Sequence, residues 1–475
     1  MATATLALHW LLVVLLSLRV VARRLPVGVS LAWLAVLYAI PFVGAGAYLF
    51  FGGKRLGRQR LALQTALQPD IEDILTSARE RFNAPLPDMS SAGAALYQQA
   101  LGLLRMPALP AYQTRLLQDD TSVFNSLVED IDRATRSCRL GFYIWHDGGR
   151  ADDVGAALLR ARARGIECRL LVDALGSAKF IRGPRSRALR AAGVEIVVSL
   201  PRSFGRRADL RNHRKIVVID DRVAYTGSQN LVDPRFFKQD AGVGQWVDAV
   251  MRLEGPVAPM LASVFEHDRA VERASAFARP DLGAFDETPT AVPGSLMQVV
   301  PSGPSPFPDA IRQLLLTAIY SARHSLTLTT PYFVPDEAIH TALCSAAHRG
   351  VKVTVIVPAH NDSRMVRYAS EAHFDDLMDA GIRIALFNGG LLHTKSMVVD
   401  EEITIFGSVN LDMRSFWLNF EISLFIYDQA LSAEIAALQT QYLAQSAFMD
   451  SAEWTKRPRG QRFLQNAARL IGPLL

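Results

Sequence analysis

Hydrophobic positions fall into three regimes along the chain. From Ala2 to Leu18 and from Val27 to Phe51 they are nearly continuous. The second run is 25 residues long without a charged side chain, and as a helix it would span about 37 Å, more than the hydrocarbon core of a bilayer. The pattern predicts a hairpin of two transmembrane helices, the second kinked at Pro41. No basic segment precedes the first run and no small-residue cleavage site follows it, which argues against a cleaved signal. From Leu56 to about residue 115 the periodicity is helical but irregular, ending at Pro107 and Pro110. Beyond it, short apolar runs of strand length alternate with amphipathic helical patterns, the grammar of βαβ units.

That grammar occurs twice. Leu140 to Trp145 corresponds to Leu326 to Phe333, and Arg164-Gly165-Ile166 before CRLLVDALGS corresponds to Arg349-Gly350-Val351 before KVTVIVPAHND. Ala192-Gly193-Val194 before EIVVSL then matches Ala380-Gly381-Ile382 before RIALFN. The chain therefore reads as an α/β fold made of one unit used twice. The stretch from Phe277 to Pro308, rich in proline and glycine, places the cut near residue 290. The expected domains are a membrane anchor at 1–60, a membrane-proximal connector at 61–115, repeats at 116–290 and 291–453, and a basic amphipathic tail at 454–475. The tail sets Lys456, Arg457, Arg459, Arg462 and Arg469 among Phe463, Leu464, Leu470, Ile471 and Leu474. It suits an anionic membrane surface and a solvated tail about equally.

Composition adds limits. Half of the 475 residues are apolar and a fifth are charged, which excludes a disordered or fibrous chain. The net charge of +5, from 51 basic and 46 acidic side chains, is too small to imply nucleic acid but suits an anionic partner. Cys138, Cys168 and Cys344 form no disulfide framework or zinc spacing and fit a reducing compartment. Lys54, Arg55, Arg58 and Arg60 together with the amino terminus outnumber Arg19, Arg23 and Arg24 between the apolar runs, placing both termini and the soluble region in the cytoplasm.

The chemistry lies in a second duplication. HRKIVVID gives His213, Lys215 and Asp220 as H-x-K-x4-D, followed by Gly227-Ser228-Gln229-Asn230. HTKSMVVD gives His393, Lys395 and Asp400, followed by Gly407-Ser408-Val409-Asn410. Composition alone yields one such pattern in roughly one in a hundred chains of this make-up, so two at equivalent repeat positions are not chance. A lone His-x-Lys is ordinarily a solvated strand face, and the duplication reverses that reading. Residues 213–219 and 393–399 are expected as strands, with His and Lys on one face. Lysine cancels phosphate charge, and imidazole, with a reference pKa of about 6.5, attacks phosphorus or shuttles protons. Ser228, Asn230, Ser408 and Asn410 are expected to donate to the phosphoryl oxygens.

The duplicated H-x-K-x4-D with trailing G-S-x-N resembles the signature of the phospholipase D superfamily. More narrowly, RNHRKIVVIDDRVAYTGSQNLVDPRFFKQDAGVGQWVD, GSVNLDMRSFWLNFE and the tandem apolar segments resemble the bacterial cardiolipin synthases over nearly the whole chain. The resemblance implies two phospholipase D-like α/β/α repeats packed about a pseudo-two-fold axis, so that both motifs line one site, with no metal or other cofactor. It implies a phosphohistidine intermediate on His213, with His393 as acid and then base. It also places Glu421 as the residue orienting the histidine of its own repeat, with Asp248 as the first-half counterpart ahead of Asp240. Asp220 and Asp400 are expected to brace a loop rather than touch phosphate. The implied reaction joins two phosphatidylglycerol molecules into cardiolipin and glycerol at the bacterial inner membrane, without nucleic acid. A phospholipase D-type hydrolase is the rival, and an inactive scaffold the alternative of another class.

Other features are weighed against plainer readings. His360 with Asp362 and His267 with Asp268 lack further ligands for a metal and read as surface or structural groups. Arg202, Arg206, Arg207 and Arg211 read equally as a solvated run or as a grip on a second phosphate. Phe142, Tyr143 and Trp145 read as core. No Walker A loop or G-x-S-x-G elbow is present.

Overall fold

Each repeat builds one mixed sheet, and the two sheets share a strand order. In the first the strands run Gln113–Leu117, Val250–Glu254, Val223–Gly227, Ile216–Ile219, Ser137–Phe142, Glu167–Asp173 and Glu195–Ser199. In the second the equivalents are Ser295–Ser302, Asn419–Ile426, Ile403–Gly407, Ser396–Val399, Ser325–Thr329, Lys352–Pro358 and Arg383–Phe387. Four successive pairings are antiparallel and the last two parallel in both sheets. The parallel pairs are the βαβ units expected from the apolar pattern, the first crossover in each sheet carried by Arg150–Ala163 and Glu337–His348 and the second by Pro184–Ala191 and Phe374–Asp379 with the short helices before them. Cys138 and Cys168, remote in sequence, face each other across one parallel pair as free thiols.

This computed structural model describes residues 2–23, 27–40, 42–52, 56–82, 89–201, 207, 209–285, 294–305 and 308–470. Arg24, Pro41, Lys54, Arg55, Arg202, Arg206, Ile471, Leu474 and the expected cut near 290 lie outside them. The chain divides into two compact units, Met1–Ala62 with Arg202–Leu210, and Leu63–Pro201 with Arg211–Leu475.

In the larger unit, the helices Val257–Arg273 and Gln429–Ala444 join inner-face residues of both sheets in one continuous apolar core. Separate clusters fill the outer faces, beneath Asp120–Arg133 and Arg150–Ala163 in one repeat and Ala310–Ser321 and Glu337–His348 in the other. The expected connector contains the helices Arg58–Arg81 and Ser91–Leu104, and the chain then makes two short strands. Ala108–Ala111 edges the second sheet and Gln113–Leu117 the first.

In the smaller unit, the apolar segment expected as one kinked helix is two, Val27–Ala39 and Val43–Phe51. The break falls beside Pro41, which has no amide hydrogen to donate, and Phe42 takes a positive φ of 57°. Leu16, Val20, Leu37, Ala45 and Tyr48 pack these helices with Ala2–Ala22. Among the described residues no helix is long and apolar enough to cross a membrane.

Candidate active site

The two H-x-K-x4-D segments do not run as single strands from the histidine. The strands begin at Ile216 and Ser396, because the chain first pairs with the opposite repeat. Arg211–Asn212 runs parallel to Asn419–Phe420, and Leu391–Leu392 runs parallel to Trp246–Val247. The His213 amide donates to the Phe420 carbonyl at 2.8 Å, and the His393 amide donates to the Val247 carbonyl at 2.8 Å. Each histidine thereby stands beside the acid next after the other repeat's paired residues, Glu421 after Phe420 and Asp248 after Val247.

The acids consequently act across the repeats. His213 Nδ1 lies 2.8 Å from Glu421 Oε2, and His393 Nδ1 lies 2.6 Å from Asp248 Oδ1. This corrects the expectation that Glu421 orients the histidine of its own repeat. It also selects Asp248 over Asp240, which is exposed on a short 3₁₀ turn. Burial would raise the Asp248 carboxyl, but His393, Lys395 and the Ser228 hydroxyl hold it down to about 2. Glu421 is depressed likewise against the same penalty, chiefly by His213. Burial drives both imidazoles down to about 4, partly opposed by their acids. Neutral rings donating from Nδ1 to ionised carboxylates keep the Nε2 lone pair available.

The motif serines brace the acids. Ser228 Oγ donates to Asp248 Oδ1 and Ser408 Oγ to Glu421 Oε2, both at 2.5 Å. Each hydroxyl oxygen also accepts an amide of the neighbouring strand, from Ala249 and Ile422. The expected donation by these serines to substrate phosphate is therefore corrected. The preceding glycines permit the approach: a Cβ on Gly227 would stand 2.4 Å from the Ala249 carbonyl oxygen, and one on Gly407 2.3 Å from that of Ile422. Asn230 and Asn410 do face the cavity.

The lysines and aspartates complete the motifs. Lys215 Nζ donates to the His213 carbonyl at 2.7 Å, and Lys395 Nζ to that of His393 at 2.5 Å. Burial lowers Lys215 to about 8 and Lys395 well below the usual lysine range. Asp220 accepts from the amides of Thr135, Arg136 and Ser137 and from the Thr135 hydroxyl. Asp400 accepts from the amides of Arg323, His324 and Ser325. Both aspartates open three-residue hairpin loops whose first two residues have positive φ, 54° and 57° at Asp220 and Asp221, and 51° and 58° at Asp400 and Glu401. They tie a hairpin to the start of the adjacent strand, as expected, away from the reacting groups.

Both histidines line one cavity of about 590 Å³ with Asn230, Asn410, Arg211 and Arg414. Its aromatic wall was not legible in the chain. Tyr143 stands edge-on to the His213 ring at 5.0 Å, and Trp246 packs over His393 at 4.4 Å. Phe142 and Trp145 are buried as expected, the latter stacked on Phe180, but Tyr143 lines the site. Tyr332, on the second repeat's side of the cavity, donates to Asp362, which also meets Lys238. Trp246 and Asn419 each precede an acid by two residues, a correspondence that the repeat comparison contains but that only the acids' pairing reveals. Asp412 also faces the cavity, its carboxyl raised by burial to about 6. Of the arginine run, Arg211 lines the cavity and Arg207 pairs with Asp209. Asp268 holds Arg214 through both carboxylate oxygens, a structural pair. Among the described residues no group of three or more His, Cys, Asp or Glu is disposed to hold a metal ion.

The signature described as "Cardiolipin synthase, PLD-like domain" matches residues 127–249 and 315–442. Proteins named cardiolipin synthase A from Yersinia pseudotuberculosis serotype O:1b and Yersinia pestis are 44% identical over 475 residues, covering 98% of this chain and 97% of theirs. The crystal structure of a phosphatidylserine synthase from Haemophilus influenzae shares the fold, with a TM-score of 0.59 at 15% identity over 80% of this chain and all of that one.

Proposed function

The chain belongs to the cardiolipin synthase family with phospholipase D-like domains, and on that premise we propose how its site performs phosphatidyl transfer. It is a phosphatidyltransferase that converts two phosphatidylglycerol molecules into cardiolipin and glycerol. The observation carrying the mechanism is the single cavity lined by both histidines, each held by an acid of the opposite repeat.

His213 Nε2 attacks the phosphorus of the first lipid while its Nδ1 proton stays on the ring, hydrogen-bonded to the Glu421 carboxylate. The P–N bond forms as the bond to the headgroup glycerol breaks, and His393 supplies the proton that glycerol takes. His393 then removes a proton from the headgroup hydroxyl of the second lipid, whose oxygen attacks phosphorus and releases His213. One phosphodiester replaces another, so no nucleotide is consumed. A bound anion raises the affinity of His393 for its proton, which supplies the acid that burial withholds from the empty site. Lys215 and Lys395 offset phosphate charge, Asn230 and Asn410 face the phosphoryl oxygens, and Arg211 meets the phosphate of the second lipid.

The phospholipase D-like repeats are taken as 116–290 and 291–453. The apolar helices within 1–60 anchor the protein as a hairpin in the bacterial inner membrane, with the catalytic region in the cytoplasm. Exposed Leu8, Leu11, Val14, Leu15, Leu18 and Val21 on the first helix support this reading. A carboxyl-terminal reporter active only in the periplasm would reverse the orientation. Purified protein given phosphatidylglycerol tests the reaction: cardiolipin with equimolar glycerol supports it, phosphatidic acid points to hydrolysis, and no turnover points to a scaffold.

A further inference from the structure

The helix Arg459–Leu470 is docked with the wrong face inward for a helix in water. Gln465 and Ala468 are buried, and Gln465 bridges two groups, accepting from Arg457 Nε at 2.9 Å and donating to Glu371 Oε2 at 2.8 Å. Arg457 in turn holds Asp375. The apolar residues lie on the outer side: Phe463 is 72% exposed, Leu464 51% and Leu470 83%. At 3.6 residues per turn, positions 463, 467 and 470 share one face, turned away from the half-buried 461 and the buried 465 and 468. Arg462 and Arg469 occupy the flank between them, and Arg459 lies one turn before Phe463 on the outer face. Burial of a large apolar side chain is worth about 1.5–3 kcal/mol, so a free helix of this sequence would dock the other way round. The polar bridge fixes it with the oily face outward.

Its place bears on the site. Ala468 packs with Val334, Ala369 and Val366, and Val334 and Val366 line the catalytic cavity. Leu175, another exposed apolar residue, lines the same cavity. We propose that Arg459–Leu470 is an interfacial helix that inserts Phe463, Leu464 and Leu470 into the headgroup boundary of an anionic bilayer, seating the cavity mouth where its lipids enter. Charge complementarity selects this occupant, since a cationic flank beside an apolar stripe matches anionic lipid. The proposal rests on the phosphatidyltransferase reading and names the surface on which that site works.

The test uses the full chain with Cys344→Ser, leaving the buried Cys138 and Cys168, and a nitroxide on Phe463→Cys or, separately, on Leu470→Cys. The protein is reconstituted in vesicles of phosphatidylglycerol and phosphatidylcholine, and spin-label collision with oxygen and with a water-soluble nickel chelate is measured. Insertion gives high oxygen and low nickel collision at both positions. High nickel collision, as for a solvated helix, overturns the proposal. Low collision with both reagents also overturns it, because another protein surface then covers the face, whether a second copy or another segment of this chain. Cardiolipin formation by the same labelled protein is scored in parallel, so that loss of the enzymatic reading is seen separately from loss of the interfacial one.

Discussion

Replacing Glu421 by glutamine tests the exchange of acids between repeats. Glu421 is fully buried and accepts from His213 Nδ1 at 2.8 Å, Ser408 Oγ at 2.5 Å and Asn419 Nδ2 at 3.1 Å. Glutamine keeps the shape and can keep its oxygen toward His213 and Ser408, but the charge is gone. As the P–N bond forms, the His213 ring becomes cationic, and a carboxylate about 4 Å from that charge contributes about 4 kcal/mol at an effective dielectric constant of about 20. Its removal therefore slows cardiolipin formation by about 10³-fold. The assay is the initial rate from phosphatidylglycerol, with thermal melting to show that the variant folds. Nuclear magnetic resonance of labelled histidine adds the decisive readout. Because Glu421 raises the His213 pKa, the variant shifts that resonance to titrate still lower, while His393, held by Asp248, moves far less. A rate within tenfold of the parent, or a shift confined to His393, refutes the cross-repeat assignment.

His213→Ala and His393→Ala each abolish turnover in the same assay, and activity retained in either shows that the motifs do not form one site. Lys215 carries its charge below about 8 and loses it above, so the rate on phosphatidylglycerol falls as pH rises through that value; a flat profile to pH 10 contradicts a role for its charge. Ser228→Ala and Ser408→Ala remove a hydrogen bond to a charged group worth about 1.5–3 kcal/mol, lowering kcat about 10- to 100-fold. Since the hydroxyls face the acids and not the phosphate, KM stays near the parent value, and a change in KM alone assigns them to substrate. Asp220→Ala leaves the amides of residues 135–137 without their acceptor and costs about 1–3 kcal/mol per group left unpaired, visible as a lower Tm; an unchanged Tm removes the bracing role.

Much of this protein was present in local pattern. Strand alternation and the Arg-Gly and Ala-Gly turns recur in both halves, so the βαβ units and their duplication follow from neighbours in the chain. The H-x-K-x4-D spacing is likewise local, since the aspartate must reach a hairpin loop at the end of one strand. The tertiary structure decided what depends on residues meeting from far apart. Glu421 reaches His213 because Arg211–Asn212 pairs with Asn419–Phe420, a register that no single repeat encodes. That same crossing delays the expected strands to Ile216 and Ser396 and brings Trp246 onto His393, while pairing of adjacent strands within each sheet turns the serines toward the acids. It also set the carboxyl-terminal helix with its apolar side outward, because the preference of a helix for one face is settled by its docking partners, here Glu371 and Arg457, and not by its own periodicity.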